Sequence, residues 1–217
     1  MISSLRRYTS LPFLIDILKE KRLTFVYPKY WDDKNDFNFV NKYKKDSDLT
    51  AVLALCFTEF RETYFHWKIY SDGVSGVCIE FDKDLLLTQF QKFKGIKSGY
   101  VDYKTLRQLD NNEIEFHRLP FTKRFGFKEE NEFRIIYEVP RGSPVKKFKP
   151  IELNCIKRII FSPWIPTPVY NANKAVLEEI TKSNFIEIDR STLTNNKTWK
   201  QLGIRIQKPH DLQAKNI

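Results

Sequence analysis

The sequence predicts an α+β fold: a single domain with a mixed, mostly antiparallel sheet and flanking helices. Segments with strand-like patterns recur along the chain, amphipathic helical segments lie between them, and no internal repeat or low-complexity linker divides it. Of the 217 residues, 41% are hydrophobic and 15% are aromatic, which is enough to form a core. We assign residues 1–205 to the domain and residues 206–217 to a polar tail that we expect to fray.

The chain opens with a predicted strand, helix and strand. Residues 4–10 are expected to form a short strand, and residues 11–21 carry leucine and isoleucine at helical spacing. Ser10 can cap this helix, and Pro12 fits its first turn. Residues 22–28 alternate as a second strand.

Apolar strands dominate the middle of the chain. Residues 51–59 and 74–82 are apolar enough to be central strands. Aromatic residues between them recur at helical spacing, which predicts a short helix that ends at Gly73. The polar and aromatic residues 30–50 are expected to form an irregular loop that contains at most one helical turn.

The second half of the chain continues the same alternation. A helix is predicted at residues 83–94, with Asp82 as its cap. The remaining segments are predicted as a strand at 98–103, helical or irregular structure at 104–119, strands at 128–139, 145–154 and 156–163, a helix at 171–183 capped by Asn171, and a strand at 185–192.

Composition argues against several kinds of site. With 7 glycines, the chain has neither of the common glycine-rich phosphate-binding motifs. Cys56, Cys78 and Cys155 lie far apart in apolar runs and are expected to be buried, reduced thiols. The three histidines lack the spacing of metal ligands, so we predict no metal site.

The formal net charge is +10, which favours anionic partners such as nucleotides and nucleic acids. A lysine-rich surface without any such partner would give the same composition. No apolar run is long enough to span a membrane, and no signal peptide is recognisable. We therefore expect a cytoplasmic protein that does not bind a membrane.

The stretch KEENEFRII, residues 128–136, contains the strongest candidate for catalysis. Read as one strand, it places Glu130, Glu132 and Arg134 on the same face, with successive members about 6.5–7 Å apart. Two acids this close raise the pKa of one of them if they are buried, which suits acid–base chemistry. The alternative is a solvated charge ladder, each contact worth roughly 0–1 kcal/mol.

Three further clusters could bind a ligand. His66, Trp67 and Tyr70 share one side of a predicted helix and would form either an aromatic wall for a flat ring or a core-facing surface. Arg6, Arg7 and Tyr8 form the next cluster, in which the arginines offer a planar fork for phosphate or carboxylate, unless both are ordinary surface arginines. The acids of residues 31–36 could bind a cation, although a solvated turn is the favoured interpretation.

Several of these motifs, in this order, resemble the bacterial domain-of-unknown-function family DUF2971. The motifs are Arg7-Tyr8, LTFVYP, WDDKND, Cys56-Phe57-Thr58, WKIYSDGVSGVCIEFD and ENEFR, and the resemblance spans about residues 5–190. GVCIEFD and ENEFR are the most specific. The chain departs from the family in two places: Ile69 stands where a histidine is usual, and DDK replaces N-D-P.

More distantly, the order of these residues resembles that of the ADP-ribosyltransferases. This resemblance implies an ADP-ribosyltransferase-like fold and an NAD-consuming enzyme, a toxin or phage-defence effector acting on a nucleic acid or protein. Glu132 would stabilise an oxocarbenium-like transition state, and Glu130 would act as base or orienter. The other implied contacts with NAD come from Arg7, Tyr8, His66, Trp67, Tyr70 and Arg134, with Trp67 and Tyr70 stacking on nicotinamide.

Two other functions remain open at the level of sequence. A non-catalytic nucleic-acid-binding or regulatory module would explain the charge and the aromatic residues. A nuclease could hold Mg²⁺ with the paired acids, but the sequence shows no third carboxylate at a convincing spacing.

Overall fold

The computed structural model describes residues 4–111, 114–182 and 184–205. These residues form the predicted α+β fold, with helices on a mixed, mostly antiparallel sheet. The strands are β1 (Ser4–Ser10), β2 (Arg22–Thr24), β3 (Leu49–Thr58), β4 (Gly76–Asp82), β5 (Ile96–Tyr100), β6 (Asp102–Lys104), β7 (Thr122–Arg124), β8 (Glu132–Pro140), β9 (Phe148–Pro150), β10 (Ile156–Phe161) and β11 (Glu187–Arg190). The helices are α1 (Leu11–Glu20), α2 (Lys34–Asp46), α3 (Tyr64–Tyr70), α4 (Lys83–Gln91), α5 (Leu106–Asn111), α6 (Thr167–Thr181) and α7 (Lys197–Arg205).

Within the described ranges, the main sheet has seven strands in the order β11-β10-β4-β1-β3-β8-β5. Its neighbours are antiparallel except for β10 and β11, which are parallel. Strand β2 pairs with β9, and β6 pairs with β7. The predicted tail, residues 206–217, lies outside the described residues.

The main sheet is split near its centre. Strand β1 pairs with β4 along its whole length, but it meets β3 at a single residue pair, Arg6 and Thr58. Beyond this pair β1 and β3 separate, and Val26 instead bridges to Ala54 through two backbone hydrogen bonds of 2.9 Å. The separation leaves a cleft between the two halves of the sheet.

Strand β3 is buried on both faces, as its continuous apolar sequence predicts. Leu53 and Leu55 point into the larger core, which also receives side chains from α1, α4 and α6. Val52 and Ala54 point the other way, into a smaller core closed by α2. Because side chains alternate along a strand, α2 must lie on the opposite face of the sheet from the larger core.

Helix α2 corrects the prediction of an irregular loop at residues 30–50. The Asp33 side chain accepts hydrogen bonds from the backbone N–H groups of Asn35 and Asp36, which caps the helix. Val40 and Tyr43, three residues apart, are buried beneath it. The helix is stabilised by this cap and by burial of two side chains. Because most of its other residues are polar, the sequence shows no clear apolar spacing that would predict it.

The beginning of β8 also differs from prediction. Residues Phe125–Glu130 form a 3₁₀ helix, and Asn131 has a left-handed backbone with φ of 43° before the strand begins at Glu132. Asparagine tolerates this conformation better than most residues. Glu130 therefore lies on a turn, not on the strand face predicted for it.

Smaller corrections concern element ends. Helix α3 ends at Tyr70, before Gly73, and α6 begins at Thr167, so that Asn171 lies inside it. Ser10 occupies the cap position of α1, but its side chain makes no capping hydrogen bond. Helix α7 was not predicted.

The three cysteines are unpaired, with Cys78 and Cys155 buried and Cys56 partly buried. Among the described helices, none combines the length and apolar character needed to cross a bilayer.

Candidate active site

A cleft of about 440 Å³ opens where β1 and β3 separate. Its walls come from β1, β3, α2, α3 and the turn that leads into β8. The residues that line it are Arg6, Arg7, Tyr8, Val26, Tyr30, Trp31, Asp32, Asp33, Asp36, Ala54, Cys56, Phe57, Thr58, His66, Ile69, Tyr70, Lys123, Phe127, Glu130, Glu132 and Arg134.

All but one of the residues predicted from the sequence line this cleft. The exception is Trp67, which is fully buried in a small core with Cys78 and Ile160. This placement corrects the expectation that Trp67 stacks on a ligand. Tyr70, one turn further along the helix, has its ring at the cleft and is 40% exposed.

Arg134 organises the carboxylates of the site. It is fully buried, and its Nε and Nη2 atoms each donate to the Glu132 carboxylate at 2.8 Å. Nη1 and Nη2 donate to Asp36 at 3.0 and 2.8 Å, and Nη1 also donates to the Pro120 carbonyl oxygen at 2.7 Å. These bonds use all five guanidinium N–H groups. Arg134 therefore has no donor left for a ligand, which corrects its predicted role in binding a cofactor.

Glu132 is held as a carboxylate. Burial by itself would raise its pKa, but the adjacent Arg134, with Lys123, outweighs burial and lowers the pKa to about 2. Its backbone N–H donates to the Tyr103 hydroxyl at 2.9 Å, which fixes the start of β8. The side chain is thus a fixed negative charge at the wall of the cleft.

Glu130 has the opposite electrostatic character. Burial raises its pKa, and Lys123 only partly opposes this. The Tyr70 hydroxyl donates to Oε1 at 2.5 Å, and Lys123 Nζ donates to Oε2 at 2.6 Å. Although Glu130 and Glu132 do not share a strand face, both still line the cleft, with pKa values shifted in opposite directions. Such a pair suits division into a base and a permanent charge.

His66 supports the turn that carries Glu130. Its Nε2 atom lies 3.1 Å from the Glu130 carbonyl oxygen, and Nδ1 lies 2.5 Å from the Thr63 hydroxyl. Burial lowers the pKa of His66, so the ring is neutral at pH 7. Tyr8 stacks on the imidazole with ring centroids 5.5 Å apart. Both ring nitrogens therefore have structural partners.

Arg7 differs from the neighbouring arginine. Arg6 forms an ion pair with Glu80 at 3.1 Å, whereas Arg7 has no ion-pair partner among the described residues. Arg7 Nη1 donates to the Cys56 carbonyl oxygen at 3.0 Å. Without this bond, the carbonyl group would lack a hydrogen-bond partner, because β1 and β3 separate at this point. The cleft thus contains a guanidinium whose charge is not neutralised by an acid.

Sequence reasoning missed two charged residues of the site. Asp36, assigned to a solvated turn, is only 2% exposed and pairs with Arg134. Lys123 Nζ lies 2.6 Å from Glu130, 3.7 Å from Glu132 and 3.8 Å from Asp36. Asp36 ends the WDDKND motif, for which a solvated turn was the favoured interpretation, and Lys123 belongs to no motif. The only sequence signal of Lys123 is a charge beside aromatic residues, which is common on surfaces.

Asp36 is the third carboxylate that the nuclease hypothesis lacked. Lys123, however, contacts all three acids, and Arg134 contacts two of them, Asp36 and Glu132. Within the described part of the chain, no group of three or more histidine, cysteine, aspartate or glutamate residues is arranged to hold a metal ion.

Cys56 also lines the cleft. Burial, together with the charge of Glu132, raises the pKa of the Cys56 thiol, so it is not a thiolate at pH 7.

Residues 66–135 match the model of the DUF2971 family, whose members are described as proteins of unknown function. The matched DUF2971 segment begins at His66 and contains Lys123, Glu130, Glu132 and Arg134, whereas Arg7 and Asp36 precede it. None of the curated proteins matches the chain.

Three solved structures of DarT from Thermus sp. 2.9 are similar to this chain, and each match covers 88% of it. The complex with ADP-ribosylated ssDNA is 9% identical, with 94% of that chain covered and a TM-score of 0.44. The complex with NAD+ is 10% identical (96% covered, TM-score 0.44), and the complex with carba-NAD+ is 9% identical (96% covered, TM-score 0.45). The resemblance to DUF2971 predicted from the sequence is thus found, over residues 66–135.

Proposed function

We propose that this protein is an NAD-consuming ADP-ribosyltransferase-like enzyme. The observation that carries the proposal is the presence of an unneutralised Arg7 and an ionised Glu132 at one cleft, with Cys56 between them. Arg7 donates a hydrogen bond to the Cys56 carbonyl oxygen, and the Glu132 carboxylate forms a hydrogen bond with the Cys56 thiol and raises its pKa. A cation favours binding of the diphosphate of a pyridine dinucleotide. An anion favours cleavage, because positive charge develops on the ribose as the bond to nicotinamide breaks.

The lining of the cleft suits NAD as substrate. The Arg7 guanidinium can donate two parallel hydrogen bonds to a phosphate group. The Tyr70 ring, beside the neutral His66 at 6.0 Å between centroids, offers a surface for a flat ring. The cleft volume lies within the roughly 300–1,000 Å³ typical of small-molecule sites.

NAD supplies an ADP-ribosyl group, and nicotinamide leaves as a neutral molecule when its bond to the ribose breaks. Glu132 accepts a hydrogen bond from the ribose, and its fixed charge favours the positive charge that develops there. Glu130 takes the proton from the acceptor hydroxyl or amine as the acceptor bonds to the ribose. With water as the acceptor, the same residues would make the enzyme a glycohydrolase.

A nucleic acid is the acceptor that the rim of the cleft favours. Three exposed aromatic side chains lie on or next to the rim: Tyr30, Phe125 and Phe127. Exposed lysines lie close to two of these rings, with Lys29 Nζ 4.9 Å from Tyr30 and Lys128 Nζ 4.7 Å from Phe125. Aromatic rings stack on unpaired bases, and ammonium groups attract the phosphate backbone. The net charge of +10 acts in the same direction.

The test is release of nicotinamide from NAD by the purified protein, with and without a single-stranded oligonucleotide. Glu132→Gln should lower the rate by about 10²–10³-fold, the usual cost of losing one group that stabilises a transition-state charge. Glu129→Gln is the matched control, because Glu129 is exposed and lies one residue before Glu130. The absence of both turnover and an NAD-induced thermal shift in the wild type would refute the proposal.

A non-catalytic nucleic-acid-binding module is the alternative supported by the same aromatic and basic rim. It predicts oligonucleotide binding that weakens steeply with salt and does not change in Glu132→Gln. Binding of this kind, without nicotinamide release, would select this alternative.

A further inference from the structure

A second cleft, of about 270 Å³, lies between helix α2 and strand β3. Along β3 it is separated from the first cleft by the Val26–Ala54 bridge: Ala54 lines the first cleft, and Val52 lines the second. Phe37, Val40 and Lys44, on one side of α2, form the facing wall. The second cleft plays no part in the proposed NAD chemistry.

Positive charge surrounds the mouth of this second cleft. The ammonium groups of Lys29 and Lys147 lie 5.3 and 5.0 Å from the centroid of the Tyr27 ring, and Lys44 adds a third charge from α2. Among the described residues, none of these three lysines forms an ion pair with a carboxylate. Because like charges around one pocket repel each other, a bound anion would lower the electrostatic energy of this region.

The interior of the second cleft suits a flat ring. Phe37, Val40 and Val52 provide apolar walls, and Tyr27 provides an aromatic surface beneath the lysines. The side-chain amide of Asn41, which also lines the cleft, makes no hydrogen bond within the described part of the chain. An amide of this kind can both donate to and accept from the edge of a nucleobase.

We propose that the second cleft binds a nucleoside monophosphate. The base lies against Phe37 and Tyr27 with its edge toward Asn41, and the phosphate lies among Lys29, Lys44 and Lys147. The volume is slightly below the range of about 300–1,000 Å³ for drug-sized ligands, so one nucleotide fits better than a dinucleotide. This site goes beyond the proposed function and does not depend on it.

Isothermal titration calorimetry with AMP tests this site. AMP should bind the wild type, and Lys44→Ala should raise the Kd at least tenfold. Lys45→Ala should leave the Kd unchanged, since Lys45 is the adjacent residue of α2 and is exposed outside the cleft. Arg7→Gln, in the first cleft, should also leave the Kd unchanged.

Four results would overturn the proposal. These are no binding of AMP, whether or not an oligonucleotide binds, equal weakening by Lys44→Ala and Lys45→Ala, loss of AMP binding in Arg7→Gln, and binding of inorganic phosphate as tight as that of AMP. Inorganic phosphate serves as a further probe. If it binds as tightly as AMP, the base makes no contribution, and the site would be one for simple anions.

Discussion

Arg134 donates two hydrogen bonds to Asp36, although 98 residues separate them in the sequence. The same guanidinium binds both oxygens of Glu132. One buried side chain therefore joins helix α2 to strand β8 and fixes the carboxylate on which the proposed chemistry depends. The site is in this respect a product of long-range packing.

Replacing Arg134 should destabilise the fold severely. Arg134→Leu leaves Asp36 and Glu132 buried with only the more distant Lys123 as a shared cation, and breaking a buried ion pair costs about 3–5 kcal/mol. Arg141→Leu is the control, because Arg141 and Asp48 form an exposed pair worth about 0–1 kcal/mol. The measurement is the free energy of unfolding in urea. Similar losses in both variants would contradict the central role of Arg134.

The depressed pKa of Glu132 predicts loss of stability in acid. Its pKa is 4.5 when unperturbed and about 2 in the folded protein, so its contribution is complete above about pH 4.5 and disappears as the pH falls through 2. The shift corresponds to a contribution of about 3 kcal/mol. Unfolding free energies measured from about pH 6 downward should fall less steeply in Glu132→Gln than in the wild type or in Glu129→Gln. Parallel curves for all three proteins would argue against this assignment.

Removing the Tyr70 hydroxyl should move the pH dependence of activity. The hydrogen bond from Tyr70 stabilises the Glu130 carboxylate, so Tyr70→Phe raises the Glu130 pKa further and keeps Glu130 protonated to higher pH. We expect the acid side of the kcat/KM profile to move to higher pH by about one pH unit, the equivalent of one hydrogen bond to a charged group, with activity recovering as the pH rises. Tyr64→Phe, at an exposed position of the same helix, should match the wild type. A loss of activity equal at every pH would instead indicate a purely structural effect.

Arg7→Lys should weaken binding of NAD without unfolding the protein. Lysine keeps the charge but cannot donate two parallel hydrogen bonds to a phosphate, so we expect the Kd to rise about tenfold. Calorimetry in a Glu132→Gln background would measure binding without turnover. Arg22→Lys, at a partly exposed ion pair with Asp16, is the control. An unchanged Kd in Arg7→Lys would exclude Arg7 from the nucleotide site.

Some elements were predicted from apolar patterns in the sequence, and others depend on contacts that the sequence does not show. The continuous apolar run of β3 and the apolar spacing of α1 predicted those elements, because burial of such patterns is favourable in almost any context. Helix α2 escaped prediction, since its stability depends on the Asp33 cap and on burial of Val40 and Tyr43. Glu130 and Glu132 both line one cleft, although the left-handed Asn131 gives them a different geometry from the predicted strand face.

By itself, the sequence determined the α+β class, the mostly antiparallel sheet, the DUF2971 resemblance and seven of the 21 residues that line the cleft. These follow from local patterns of apolar residues and from short motifs, which can be read without knowing what lies next to them. Only the tertiary structure decided that β1 and β3 separate, that Trp67 is in the core and that Arg134 binds Asp36 and Glu132. Each of these depends on contacts between distant parts of the chain, and burial then determines which charges are neutralised and which, like Arg7, remain available.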